Sequence, residues 1–243
     1  MRDFGEVENL QVSKKGPADF VSQADKDCER TLLYELQKAR PKYGFLMEEQ
    51  GALDGADSSN RWVIDPLDGT TNFLHGLAHF AISIGLERDG QPYAGVIYEP
   101  VGNQLFWGEE GKGAFLNGQR LRVSARRELS ESLFATGVPF LGIDGHDRFQ
   151  EQLGRVMAVS AGLRRFGAAA LDLAYVAAGR YEGYWENGLN PWDICAGIAI
   201  VREAGGFVTD LSGGKDFLNG KGIIAANPII HSRLAKVLAG RAT

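Results

Sequence analysis

The sequence predicts an α/β protein, with a large antiparallel sheet in its first half and a mixed, helix-covered sheet in its second. Three observations carry this. Between His79 and Val123, short alternating runs are separated by Asp89-Gly90 and Asn117-Gly118, dipeptides that close tight hairpins. After Leu133, strand-like runs alternate with helical ones, which implies mixed, partly parallel pairing. Between residues 62 and 73 the chain reads Trp-Val-Ile-Asp-Pro-Leu-Asp-Gly-Thr-Thr-Asn-Phe, a short apolar strand running into acids and a turn.

Taken in order, Lys14-Lys15-Gly16-Pro17-Ala18-Asp19 reads as a turn-rich loop carrying two positive charges. Ser22 caps a helix from Ala24 to Arg40, with Leu32, Leu33 and Leu36 inward and Pro41 ending it. Tyr43 to Met47 is a brief strand leading into Glu48-Glu49, and residues 54–60 form a polar loop. Hairpin strands follow at His79–Arg88, Pro92–Tyr98, Gln104–Trp107, Gly113–Leu116 and Arg120–Val123. The second half reads as strands at Leu133–Gly137, Arg164–Phe166, Tyr181–Glu186, Phe207–Thr209 and Ile223–Ala226. Its helices are Asp147–Ser160, Ala168–Ala178, Asp193–Ala204 and Ile229–Leu238. The change of pattern divides the chain into an N-terminal α+β domain, residues 1–132, and a C-terminal α/β domain, residues 133–243.

Bulk properties narrow the class. A chain of 243 residues with 44% hydrophobic and 23% charged residues is ordinary for a globular protein with a sizeable core. Its net charge of −5 speaks against a general nucleic-acid binder. No apolar run reaches membrane-spanning length, and no signal-peptide pattern opens the chain. Cys28 and Cys195 lack metal-ligand spacing and read as free thiols, so a cytoplasmic enzyme is expected.

Chemistry concentrates around residues 62–73. Asp65 leaves the strand where Pro66 should stop its pairing, Asp68 follows, and Gly69 permits a sharp turn. Thr70, Thr71 and Asn72 are N-cap types, so a helix is expected to start there with its positive end toward both carboxylates. Hard oxygen ligands beside free N–H groups suit a divalent cation and a phosphate. An isolated Asp-x-x-Asp-Gly is no more than a capped turn. Here Glu48-Glu49 ends another strand and Trp192-Asp193 opens another helix, and such a set is what a two-metal phosphoesterase needs.

Together with Glu203-Ala204-Gly205-Gly206, the stretches Trp62–Phe73, Glu48-Glu49 and Asn190-Pro191-Trp192-Asp193 resemble the inositol monophosphatase family, from about Lys14 to the C-terminus. The resemblance implies a layered αβαβα sandwich, commonly homodimeric. It also implies Mg²⁺-dependent, lithium-sensitive hydrolysis of small phosphate monoesters, with two or three Mg²⁺ per subunit. By position, Glu48, Asp65 and the Leu67 carbonyl match ligands of a first metal, and Asp65, Asp68 and Asp193 those of a second. Thr70, supported by Asp25, matches the pair that orients the attacking water, with Glu48 counted among the catalytic groups. The Gly69 and Thr70 amides match a phosphate cradle, and Lys14 a mobile-loop lysine beside Lys15. Gly167, Ala168, Ala169 and Glu186, with Asp68 and Asp193, match the region that holds the polyol hydroxyls; Glu186 also reads as an ordinary surface strand residue. The family has an amphipathic helix before the lysine loop, and this chain begins where that helix would be ending. A truncated or mis-set start would account for this, and bears on dimer contacts more than on the metal site. Met47 stands where the family often has glycine.

Competing motifs are weaker. His75 and His79 have the spacing of a helical zinc pair without its glutamate, and Gly111-Lys112-Gly113 is a turn rather than a nucleotide loop. No Gly-x-Ser-x-Gly elbow supports serine chemistry. Asp65-Pro66-Leu67-Asp68-Gly69-Thr70 has one residue too many for the Asp-x-Asp-Gly-Thr of aspartyl-phosphate enzymes, which favours direct attack by water. The expected reaction is hydrolysis of a small phosphorylated polyol or sugar, inositol monophosphate first, without membrane or nucleic-acid partners. Fructose 1,6-bisphosphate, histidinol phosphate and 3′-phosphoadenylate are the alternatives, and a binding role in a transcription or RNA complex is the non-enzymatic one.

Overall fold

The computed structural model describes residues 4, 12–16, 19–139, 144–219 and 222–241, and of residues 12–16 and 19–22 the backbone only. The first strands among the described residues form a small antiparallel hairpin, β1 (Val12–Gly16) and β2 (Asp19–Ser22), and Lys14 lies on its first strand rather than in a loop. Helix α1 (Gln23–Ala39) follows, then β3 (Tyr43–Met47), β4 (Gly51–Leu53), β5 (Asp57–Asp68) and the single-turn helix α2 (Thr70–Leu74). Five strands complete the first half: β6 (Ala81–Arg88), β7 (Gln91–Glu99), β8 (Gln104–Glu109), β9 (Gly113–Leu116) and β10 (Gln119–Arg120). The second half runs β11 (Leu133–Thr136), α3 (His146–Met157), β12 (Gly162–Arg164), α4 (Ala169–Ala177), β13 (Gly183–Glu186) and α5 (Pro191–Glu203). It ends with β14 (Phe207–Thr209), β15 (Ile223–Ala226) and α6 (Pro228–Leu238).

Eight strands form one sheet in the order β10-β9-β8-β7-β6-β5-β3-β4, and five form another, β12-β11-β13-β15-β14. The larger sheet is antiparallel except for the pair β3–β5, which is parallel. The smaller is mixed, with β11 parallel to β12 and β13 and the remaining pairs antiparallel. Helices α4 and α5 lie between the sheets, α1 covers the outer face of the larger one, and α3 and α6 cover the smaller one. The result is the layered αβαβα arrangement. No helix among the described residues is long and apolar enough to cross a membrane.

Small residues set the thickness of the middle layer. Gly85 of β6, Gly95 of β7 and Gly108 of β8 face one another across three adjacent strands. They form a track without side chains on which α5 rests. A Cβ at Gly85 would lie 2.6 Å from Cys195 Sγ, one at Gly95 would strike the Ala196 backbone, and one at Gly108 would sit 3.2 Å from the Ile200 Cα. On its other side, α5 presents Gly197 to Leu173 of α4, where a Cβ would approach the leucine to 2.5 Å. Close seating buries Ile194, Ala196, Ile198, Ile200 and Val201 completely and holds the helix at one height above the sheet.

Two departures from the sequence expectation bear on the site. Strand β5 begins at Asp57, because Asp57 pairs with Tyr43 of β3 and Asn60 with Arg88 of β6, partners that local sequence does not show. It also continues past Pro66: Asp65 pairs with Ser83 and Asp68 with Ala81, so three residues advance on β5 while β6 advances two. The extra residue is a bulge, the place in a ladder where a missing N–H is tolerated.

The glycine track yields a test. Gly95→Ala should lower stability by about 1–3 kcal/mol, the usual range for overpacking a close contact. Urea denaturation of the two proteins measures it, and equal midpoints would show that α5 is free to shift.

Candidate active site

The site forms where β3 and β5 end and α4 and α5 begin. Strands β3 and β5 run parallel, so their last residues emerge on the same side: Met47 pairs with Ile64, and Glu48 N donates to Ile64 O at 3.2 Å. Glu48 therefore stands beside Asp65, and their carboxyls are in hydrogen-bond contact. The bulge then turns β5 so that Asp68 joins them. Asp65 Oδ1 accepts Leu67 N at 2.9 Å, closing the turn from within. Asp68 Oδ2 accepts Ala170 N at 2.7 Å, from the first turn of α4. Asp193 Oδ2 accepts Asn190 N at 2.7 Å as half of a capping box at the start of α5.

Asp65 and Asp68 are buried, whereas Glu48, Glu186 and Asp193 keep an edge in solvent. Burial raises the Asp65 carboxyl well above the usual range, and Glu48, Asp68 and Asp193 push it the same way. Asp193 is raised by burial and by Asp68, against the pull of the Asn190 amide. Asp68 is brought to about 7 by burial, with the Ala170 amide opposing and Glu186 and Glu48 adding. Glu186, at the end of β13, is likewise brought to about 7 by burial, opposed by the Tyr184 hydroxyl, the Arg165 charge and the Gly137 amide.

This donor set fits a hard divalent cation: carboxylates held together with too little positive charge to balance them. Among the described residues no three acidic, histidine or cysteine side chains converge tightly enough to hold an ion as they stand. Asp65, Asp68 and Asp193 each accept a main-chain amide on one carboxylate oxygen. The Leu67 carbonyl accepts Thr70 Oγ1 at 3.0 Å and keeps a second lone pair for a ligand.

The expected residues mostly gather here. Thr70 Oγ1 also lies 3.2 Å from Asp25 Oδ1, a carboxylate fully buried on α1. Gly69 adopts φ 90° and is itself the N-cap of α2, so Thr70 is the first helical residue rather than a cap. A Cβ at Gly69 would meet His79 O at 3.0 Å and the Ala168 Cβ at 3.3 Å, which ties this turn to the Gly167–Ala169 stretch. Because α2 is five residues long, its macrodipole is small, and any anion binding there relies on individual N–H groups. Tyr184 Oη donates to Glu186 Oε2 at 2.6 Å, and the carboxyl lies over Gly137, where any side chain would displace it. The backbone of Lys14 pairs with Phe20.

Three contributors escape sequence reading. Asn72 donates to His79 O at 2.8 Å and to Phe166 O at 2.7 Å, stapling α2 to the segment before α4. Asp172, buried on α4, has an Oδ1 without a hydrogen-bond partner among the described residues; burial, Glu186 and Asp68 raise its carboxyl. Glu29, fully buried on α1, accepts Glu49 N at 2.9 Å and Gln50 Nε2 at 3.0 Å, holding the turn that carries Glu48. Its place one helical turn after Asp25 was the available signal.

A pH dependence follows for the metal-free protein. Asp68 rises from 3.8 and Glu186 from 4.5, both to about 7, so between those limits the folded state binds more protons than the unfolded one. Their stabilisation is therefore full below the lower values and lost as pH rises through the upper. In EDTA, the wild type should lose stability relative to Asp68→Asn over this window; a constant difference in melting temperature would contradict it.

Comparison with known proteins gives concordant results. The model of the inositol monophosphatase family matches residues 1–242. An inositol-1-monophosphatase of Mesorhizobium japonicum is 56% identical over 98% of this chain and 89% of its own length. The Nus factor SuhB of Escherichia coli K12 is 43% identical over 97% and 89%. The crystal structure of the extragenic suppressor protein suhB from Bartonella henselae superposes with a TM-score of 0.95 at 57% identity, covering 98% of this chain and 91% of that one.

Proposed function

The chain belongs to the inositol monophosphatase family of phosphate-monoester hydrolases, and we propose that it hydrolyses inositol monophosphate to inositol and phosphate with Mg²⁺. The observation that carries this reading is the gathering of Glu48, Asp65, Asp68 and Asp193 in one cleft, where they act on one another's carboxyls, with the Thr70–Asp25 pair alongside. Glu48, Asp65 and the Leu67 carbonyl would hold one ion, and Asp65, Asp68 and Asp193 another, within a total of two or three per subunit. When bound, Mg²⁺ supplies an activated water and neutralises charge on the phosphoryl and leaving oxygens.

The chain's own groups do the rest. With its single hydroxyl hydrogen turned from the Leu67 carbonyl to Asp25, Thr70 has lone pairs left to receive a hydrogen from the attacking water and aim it at phosphorus. The Gly69 and Thr70 amides stabilise the phosphoryl oxygens as charge builds on them. Glu186, Asp68, Asp193 and the Gly167–Ala169 main chain receive the polyol hydroxyls, and the family resemblance assigns Lys14 to the mobile-loop lysine. The family resemblance supports a homodimer, and the absence of metal-spaced or paired cysteines supports a cytoplasmic location.

A second reading comes from the Escherichia coli relative, named a Nus factor: a binding role in a transcription or RNA complex.

Phosphate release from inositol monophosphate, fructose 1,6-bisphosphate, histidinol phosphate and 3′-phosphoadenylate discriminates among these. Mg²⁺-dependent, Li⁺-inhibited turnover is expected, fastest on inositol monophosphate. A preference for another ester would move the substrate, and no turnover from folded protein would leave the binding role. Asp68→Asn should cut turnover by roughly 10²–10³-fold with the fold intact, the scale of losing one group that stabilises the transition state. Near-wild-type activity in that variant would remove Asp68 from the metal site.

A further inference from the structure

Helix α1 presents two carboxylates to the interior, Asp25 and Glu29, one turn apart and both fully buried. Asp25 bonds Thr70. Glu29 reaches the other half of the site, and we propose that it is a positioning residue that fixes Glu48 against Asp65 and thereby sets the affinity for the divalent cation. This inference rests on the metal-dependent reading above.

The argument begins with the peptide that carries Glu48. Its own N–H is held by Ile64 O of β5 at 3.2 Å. The next N–H, that of Glu49, is held by Glu29 Oε2 at 2.9 Å. Two successive amides are thus anchored to different elements, one to the sheet and one to α1. The direction in which the Glu48 side chain leaves the chain follows from both. Glu29 Oε1 meanwhile takes Gln50 Nε2 at 3.0 Å, so both oxygens of one carboxylate brace one turn.

A turn of this kind does not require a buried charge. Its amides are ordinarily satisfied by short polar side chains within the turn or by water, and Gln50 is exposed. Bringing a carboxylate from twenty residues away incurs desolvation, close to a second carboxylate. The field of Asp25 and Glu29 together is felt at Cys28, whose thiol is pushed up to about 11, chiefly by burial. What a carboxylate offers in return is two acceptors and no donor, so the turn has one orientation only. That requirement suits a ligand that must stand beside Asp65, and partners that orient ligands typically change metal affinity by about 10–100-fold when lost.

The experiment is calorimetric titration of Mg²⁺ into EDTA-stripped, full-length protein, with the metal-free melting temperature recorded alongside. Glu29→Gln keeps the volume but places an amide where two acceptors stood, and it should weaken Mg²⁺ binding about 10-fold or more. In a Glu48→Gln background the same change should add little, because the brace acts through Glu48. Unchanged affinity with a lowered metal-free melting temperature would overturn the proposal and leave Glu29 a purely structural residue, as would full additivity with Glu48→Gln. If Glu29→Gln does not fold, Gln50→Met decides, since it removes one of the two bonds from an exposed position: a smaller loss of affinity supports the brace, and none overturns it. Wild-type protein that takes up no Mg²⁺ would sink the metal-dependent reading itself, an outcome distinct from equal binding by wild type and variant.

Discussion

The arrangement depends on keeping like charges together inside the protein. Glu48, Asp65, Asp68, Asp193 and Glu186 act on one another through a cleft where burial already disfavours the ionised form. The fold offsets part of that repulsion with main-chain amides: Leu67 N for Asp65, Ala170 N for Asp68, Asn190 N for Asp193 and Gly137 N for Glu186. Those donors come from a bulge in the large sheet, the starts of both central helices and the end of a strand in the small sheet. The cleft therefore has to sit where the layers meet, because no single layer supplies all four.

The same requirement explains the glycine track. Asp193 is useful only at the height of Asp65 and Asp68, and that height is set by how closely α5 approaches the sheet. Side chains at Gly85, Gly95 or Gly108 would lift the helix, and one at Gly197 would part it from α4. Packing in the middle layer and geometry at the site are consequently one constraint. The small residues that make α5 look unremarkable as an amphipathic helix are the ones that place its acidic end.

How much of this the sequence shows depends on how local the cause is. Asp65, Asp68 and Gly69 are legible because strand, bulge and turn follow one another along the chain, and Ile223–Ala226 is legible as a fully buried apolar run. Pro66 misleads, since the rule that proline ends pairing does not foresee a bulge that absorbs the missing donor. The strand character of residues 57–60 is invisible because its partners, Tyr43 of β3 and Arg88 of β6, lie far along the chain on either side. Asn72 serves main-chain oxygens, one of them 94 residues away, and carbonyls leave no mark in sequence. Glu29 is an intermediate case. Its spacing from Asp25 was readable, but a pattern search that looks for apolar residues on the buried face passes over acids that occupy it.

The two ends of the cleft are held differently, and this bears on substrate scope. Asp65, Asp68 and Asp193, the carboxylates proposed to hold metal, are each fixed by a backbone amide, so their positions follow from the fold. Glu186, proposed to meet the alcohol, is oriented in part by the side chains of Tyr184 and Arg165. Substituting a side chain changes one contact, whereas moving an amide means moving an element. A protein built this way can exchange the alcohol it accepts by altering a few side chains while its phosphate chemistry stays intact. Shared acidic motifs accordingly identify the reaction more firmly than the substrate, and on the proposed reading the residues around Glu186 would distinguish one ester from another.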